Sequence, residues 1–266
     1  HRTTSCQSKS SGDFKILKYN GSKDVEIQFL KTGFEMSATL GNIRNSEVKD
    51  PYAPSVYGVG ITGTKYSPSI NGVKTKEYIL WTHMLQRCYS DTNVCDTNVC
   101  DTNVCDTNVC DTSKKRNPTY IGCEVSENFK YYEYFYEWCH KQTGFGNKGF
   151  QLDKDLLIKG NKVYSEDSCV FLPQEINNIL TKREVLRGKH LIGVSWCNTK
   201  KAFVAQVNKN KGKPEYLGSF NTEIEAFNAY KIAKETFIKE QANKWKGKIG
   251  ERAYEALMKY KVNIDD

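Results

Sequence analysis

The stretch HLIGVSWCNTKKAFVAQVNKNKGKPEYLGSFNTEIEAFNAYKIA, His190 to Ala233, changes its periodicity once. Up to Phe220 it holds three short runs, around GVSWC, AFVAQV and EYLGSF, rich in β-branched and aromatic residues and separated by Asn, Thr, Lys and Gly. Such runs read as the strands of an antiparallel meander. From Thr222 onward the period is helical, with Ala226, Ala229, Tyr230, Ala233 and Phe237 on one face. Thr222 followed by Glu225 has the spacing of a capping box, in which each side chain satisfies the other's free backbone N–H. The small alanines let the helix lie close on the sheet, and Gly218 permits tight packing there. A three-stranded sheet under one helix is the expected unit.

The charge of the chain points the same way. The net charge is +8 over 266 residues. Val185 to Asp266 holds 16 Lys and Arg against 9 Asp and Glu, a surplus of +7, which leaves +1 for everything before it. A basic terminal third on a near-neutral body fits a polyanion-binding module attached to something else. The lysines of the strand turns, Lys200, Lys201, Lys209, Lys211 and Lys213, suit phosphates.

The residues themselves resemble an AP2 DNA-binding domain over about Lys189 to Lys234: Gly193-Val194, Phe203-Val204-Ala205, Tyr216 through Phe220, and Thr222 through Tyr230, in that order. The resemblance implies that the sheet lies in the major groove of double-stranded DNA. Carried over, the reading positions fall on Ser195, Cys197, Gln206, Asn208 and Tyr216, with Lys200, Lys201 and Lys213 beside them. Plant members of that family place arginines, suited to guanine, at most of these sites. Here Gln206 and Asn208 have the donor and acceptor pair that matches adenine instead.

Upstream, FQLDKDLLIKGNKVYSEDSCVFLPQEINNIL, Phe150 to Leu180, reads as strand, turn at KGNK, strand, then a helix opening near Pro173. EYILWTHMLQRCYS puts Tyr78, Trp81, Leu85 and Cys88 at helical spacing, with Met84 beside them. SENFKYYEYFYEWCHKQ has Ser126 as an N-cap and Phe129, Tyr132, Phe135, Tyr136 and Cys139 as a stripe, read as core rather than as a base-stacking platform. Together these resemble the HNH endonucleases of phages and mobile elements, over about Lys76 to Arg183. That resemblance implies a divalent metal, Mg2+, held by Asp153 and Asn177 if the chain is catalytic. It also implies a catalytic set on Asp153, Lys154, Ser168 and Asn177. The family's general base is a His, and its position holds Lys154; the family's central Asn falls on Ser168. Asp153 and Asp155 flank Lys154 and favour the charged ammonium, whereas a lysine serves as a base only when its surroundings favour the neutral amine.

Before these, Asp13 to Gly63 carries the β-rich runs FKILKY, VEIQFL and FEMSAT, a turn or short helix at LGNIRN, and a Pro/Gly-rich linker VKDPYAPSVYGVGITG. The tract DTNVCDTNVCDTNVCDTNVCDT, Asp91 to Thr112, is read as a repeat inserted in a surface loop. Zinc sites favour C-x2-C pairs, and the chain has none. The expected fold class is α+β in three parts: a small antiparallel β module at 13–63, an HNH-like ββα module at 76–183 interrupted by the repeat at 91–112, and an AP2-like module with a helical extension at 187–266. HRTTSCQSKSSG lacks the apolar core of a signal peptide, no run reaches membrane-spanning length, and the six scattered cysteines outside the repeat read as reduced thiols. A cytoplasmic protein without a membrane partner is expected, in the host cytoplasm if phage-encoded. Three functions fit: a homing-type nuclease with a degenerate site, a non-catalytic DNA-binding protein on a nuclease scaffold, and an RNA-binding protein.

Overall fold

The computed structural model describes residues 5–90, 120–181, 189–209 and 214–264. The DTNVC repeat and Lys211 and Lys213 lie outside them. The chain is α+β, with several small antiparallel sheets and short to medium helices. Among the described residues no helix is long and apolar enough to cross a membrane. Contacts divide the chain into two units. One is His1–Lys141 with Lys162–Glu166, and the other is Gln142–Asn161 with Asp167–Asp266.

The first unit opens with a four-stranded antiparallel sheet: β1 (Ser5–Ser8), β2 (Gly12–Gly21), β3 (Asp24–Phe29) and β4 (Glu35–Ala38), in that order. Alternation along β3 turns Val25, Ile27 and Phe29 inward, onto Phe14 of β2 and Ile43 of the short helix α1 (Leu40–Arg44). The Thr39 hydroxyl caps α1 by accepting the Asn42 N–H at 3.2 Å. β2 to β4 fall on the three runs read from the sequence. β1 does not show there, because SCQS has no apolar alternation; pairing with β2 makes it a strand.

The expected linker after Val48 is packed structure. Glu133 accepts the N–H groups of Thr64 and Lys65, and a Cβ on Gly60 would sit 2.5 Å from Leu85. Its glycines are there for close approach rather than for freedom. A two-residue hairpin, β5 (Ser69–Ile70) and β6 (Val73–Lys74), then leads to helix α2 (Lys76–Tyr89), capped by Thr75. β7 (Glu124–Val125) and helix α3 (Tyr132–Lys141) complete the unit. Trp81, Met84, Leu85, Phe129, Tyr132, Phe135 and Cys139 are buried, so the aromatic stripe is core. The Trp81 indole donates to the Phe129 carbonyl at 2.8 Å. The helix starts later than read: Ser126 caps a 3-10 turn at Asn128–Lys130, and Tyr131 is extended.

In the second unit, β8 (Phe150–Asp153) pairs antiparallel with β9 (Val170–Pro173), and helix α4 (Gln174–Leu180) follows at once. The return strand begins only at Val170, because Val163–Tyr164 pairs in parallel with β7 in the first unit. Next comes the sheet β10 (Val194–Cys197), β11 (Ala202–Val207) and β12 (Glu215–Phe220), under helix α5 (Glu223–Lys244). Both halves of the Thr222–Glu225 capping box are formed. Helix α6 (Glu251–Met258) closes the chain.

Helix α5 serves two cores. Its first half packs Phe227 and Tyr230 against Val207 of the sheet and Val262 of the terminal segment. Its second half packs Ile238 and Ala242 with Ala253 and Leu257 of α6 against Leu156, Val170, Leu172 and Ile176 of the β8–β9–α4 region. Glu235 ties the end of the chain to this helix, accepting from the Lys261 ammonium and the Val262 N–H, both at 3.0 Å. Burial raises the Glu235 carboxyl, but the Val262 N–H, Lys261 and Lys231 outweigh it and hold it below the usual range.

Two outcomes follow. Gly193 has φ +76°, and a Cβ there would lie 2.1 Å from the Tyr230 ring. Gly193→Ala combines backbone strain with overpacking and is expected to lower stability by about 2–4 kcal/mol in chemical denaturation. Because the folded carboxyl of Glu235 titrates below its unfolded value, its contribution is present above that value and lost as pH falls through the folded one. Glu235→Gln therefore flattens the acid limb of a stability–pH curve below about pH 4.5. An unchanged acid limb would show that the Glu235 bonds do not hold the terminus.

Candidate nucleic-acid interface

The register of the three-stranded sheet decides what its open side presents. Val194 faces Ala205, and Ser195 faces Val204, which in turn faces Ser219. Val194, Val207 and Leu217 pack toward α5, so the alternate positions point away from it. Ser195, Cys197 and Gln206 share that outward face, and Asn208 continues its parity just past β11. A bulge between Ala205 and Gln206 sets Gln206 opposite Tyr216. The bulge leaves Leu217 on the core side and returns Ser219 to the outer face. Four of the five positions read from the sequence, Ser195, Cys197, Gln206 and Tyr216, therefore lie on one helix-free face, and Asn208 is exposed just past the end of β11. Ser195, Gln206, Asn208 and Tyr216 are exposed, and Cys197 is half-buried.

Lys200 reaches over this face. Its ammonium donates to the Tyr216 hydroxyl at 3.1 Å and lies 4.4 Å from the centre of the ring. The same hydroxyl is 2.8 Å from Ser219 Oγ. The Ser219 hydroxyl and Lys200 together hold the Tyr216 phenol below its ordinary value, and the Tyr216 bond holds Lys200 above its own. Tyr216 is thus fixed by two partners rather than free to turn. The Cys197 thiol, 3.2 Å from Thr199 Oγ1, is lowered by that hydroxyl and by the Lys200 N–H. Lys201 is exposed in the turn, in the left-handed region at φ +50°. Lys209, read as a phosphate ligand, is paired with Glu215 at 2.7 Å.

Ser219 is the member of this face that the sequence did not reveal. In an unbroken strand Tyr216 and Ser219, three apart, point to opposite sides. Only the bulge puts them together.

The β8 region is arranged differently. Asp153 Oδ1 accepts the N–H groups of Asp155 and Leu156, at 3.0 and 2.8 Å, and so caps the turn that follows the strand. Burial nonetheless pushes its carboxyl above the usual range, which disfavours the anion that a metal would need. Lys154 is 5% exposed. Its ammonium donates to Asp155 Oδ1 at 2.5 Å and to the Asn161 carbonyl at 2.7 Å, while the Asn161 side chain returns a bond to the Lys154 carbonyl. Ser168 is buried. Asn177 on α4 donates to Gln151 at 2.8 Å. Gln151 and Asp153 share one face of β8 by strand alternation. Among the described residues no group of three or more His, Cys, Asp or Glu side chains is gathered as metal ligands would be. One carboxylate already engaged with two amides, plus one amide side chain, is a poor match for a hard divalent cation that prefers several oxygens.

No protein-family model matches the chain, and no curated protein or solved structure matches it significantly.

The bonds of Lys154 give a direct test. Removing its ammonium takes a hydrogen bond from the Asn161 carbonyl and an ion pair from the half-exposed Asp155 carboxylate, so Lys154→Ala is expected to cost about 1–2 kcal/mol in urea denaturation. An unchanged midpoint would release Lys154 from this structural role.

Proposed function

We propose that this chain binds double-stranded DNA through the open face of the β10–β12 sheet. Gln206 and Asn208 read base edges, Tyr216 is a fixed aromatic contact, and Lys200 and Lys201 hold phosphates. The observation that carries the reading is the convergence of four of the AP2-like positions, Ser195, Cys197, Gln206 and Tyr216, on one helix-free face. Its dimensions support it: three strands about 4.8 Å apart make a surface about 10 Å across, and the major groove is about 12 Å wide. The AP2-like motif order and the basic terminal third support it independently.

For the β8–β9–α4 region we favour the scaffold of an HNH-like module that does not cut. Asp153 and Lys154 are spent on the turn that joins the strands, and no residue of the set stands as a base.

Duplex, single-stranded DNA and RNA of matched sequence, offered in competition to the full-length protein, separate the readings. Preference for the duplex supports the proposal, and preference for RNA replaces it. Incubation of a bound duplex with Mg2+ or Mn2+ is expected to leave it intact; nicking that Asp153→Ala abolishes would restore the nuclease. Within the interface, Gln206→Ala is expected to cost about 1–3 kcal/mol on a selected site and to relax preference at one base position. Lys201→Ala is expected to weaken all duplexes alike and to reduce the log–log salt slope by about 0.9.

A further inference from the structure

The bulge between Ala205 and Gln206 makes Gln206 and Tyr216 direct cross-strand partners on the helix-free face of the sheet. Side chains so opposed stand about 5 Å apart. Both are exposed, Tyr216 at 50%. They differ in what they have left to offer. The Gln206 side chain makes no hydrogen bond to another described residue. Its amide keeps both a donor and an acceptor for whatever covers the sheet.

The Tyr216 hydroxyl is engaged already. It accepts from the Lys200 ammonium at 3.1 Å and lies 2.8 Å from Ser219 Oγ. The same ammonium sits over the ring, 4.4 Å from its centre. Two partners at the hydroxyl and a cation over one face fix where the ring stands. What the ring still presents is carbon surface. A fixed aromatic contact loses little freedom when a ligand meets it. The sheet therefore sets an open amide beside a pinned apolar ring.

The major groove has a group for each. Adenine shows an N7 acceptor beside an N6 donor, the pattern that an amide side chain meets with two bonds. The one apolar group that marks a base there is the C5-methyl of thymine. Successive base pairs are about 3.4 Å apart, so two contacts about 5 Å apart fall on the same pair or on neighbouring pairs. We infer that Gln206 and Tyr216 act together on an A·T element of the duplex, Gln206 on the adenine edge and the Tyr216 ring on a thymine methyl. This rests on the duplex-binding reading above, and it adds the methyl group as a determinant. Uracil lacks that methyl, so the contact also separates DNA from a uracil-containing strand of the same sequence.

The full-length chain first selects its site from a pool of random DNA duplexes. The selected duplex is then remade one position at a time, with deoxyuridine for thymine or with deazaadenine, in which carbon replaces N7, for adenine. Removing the methyl that Tyr216 meets is expected to weaken wild-type binding about fourfold, the worth of one buried carbon. Removing N7 from the adenine of the same or the next pair is expected to weaken it about fivefold or more. Tyr216→Ala is expected to abolish the response to deoxyuridine and keep the response to deazaadenine; Gln206→Ala is expected to do the reverse. Tyr216→Phe retains the carbon surface and is expected to retain both responses. Both positions are exposed, so an unchanged thermal transition certifies each variant's fold. Indifference of the wild type to every deoxyuridine, or a response that survives Tyr216→Ala, would overturn the methyl contact while leaving the sheet reading intact. A deazaadenine response that Gln206→Ala leaves untouched would remove Gln206 from the element. Failure of the wild type to enrich any duplex would sink the sheet reading itself.

Discussion

The second unit depends on one helix being buried twice. The three-stranded sheet and the β8–β9 pair are each too small to hold a core alone; an isolated two-stranded pair is marginal in water. Helix α5 lends Phe227 and Tyr230 to the first and Ile238 and Ala242 to the second. Its ends are fixed by specific chemistry. At the start stand the Thr222–Glu225 box and the Tyr230 ring laid on Gly193; at the finish stands Trp245, bonded to Glu175 and packed on Phe150. The sheet and the β8–β9–α4 region therefore move with the helix that both have been built upon.

What was legible in the sequence was local. The three strands, the helix after them and its capping box were readable because a strand period of 2 gives way to a helical 3.6 within a few residues. What was hidden depends on partners. Ser5–Ser8 is a strand only because β2 lies beside it. Ser219 joins the outer face only through a bulge. Gly60 and Gly63 read as a linker until Leu85 and Trp81 are set against the first and Glu133 against the second. The grouping of the chain was least visible, since Val163–Tyr164 leaves the strand–turn–strand segment to pair with β7.

The LDKD motif shows why residue type alone misleads about chemistry. Charged residues at a strand end look like a site. Here burial ties them down: an unpaired buried ammonium costs several kcal/mol, and Lys154 donates to Asp155 and to the Asn161 carbonyl. Turning it toward a phosphate would break these bonds. Asp153 is similarly committed, because its Oδ1 satisfies two N–H groups of the turn. A group that holds the fold in its resting geometry has no second geometry to offer without breaking the first.

The division of charge on the proposed DNA-binding surface carries a consequence for selectivity. Among the described residues, the outer face of the sheet is neutral except for Lys200, and Lys200 is engaged with Tyr216. Among them, Gln206 on this face and Asn208 just past it present the paired donor and acceptor that distinguish one base from another. At about 1–3 kcal/mol each, two such contacts give about 2–6 kcal/mol, which reaches only the lower part of the 4–10 kcal/mol by which specific binding usually exceeds non-specific binding. A phosphate contact from Lys201 would add no selectivity, because it strengthens binding to every sequence equally. On the proposed reading, such a surface chooses among sequences modestly through its side chains, and any sharper choice has to come from the sequence-dependent deformability of the duplex.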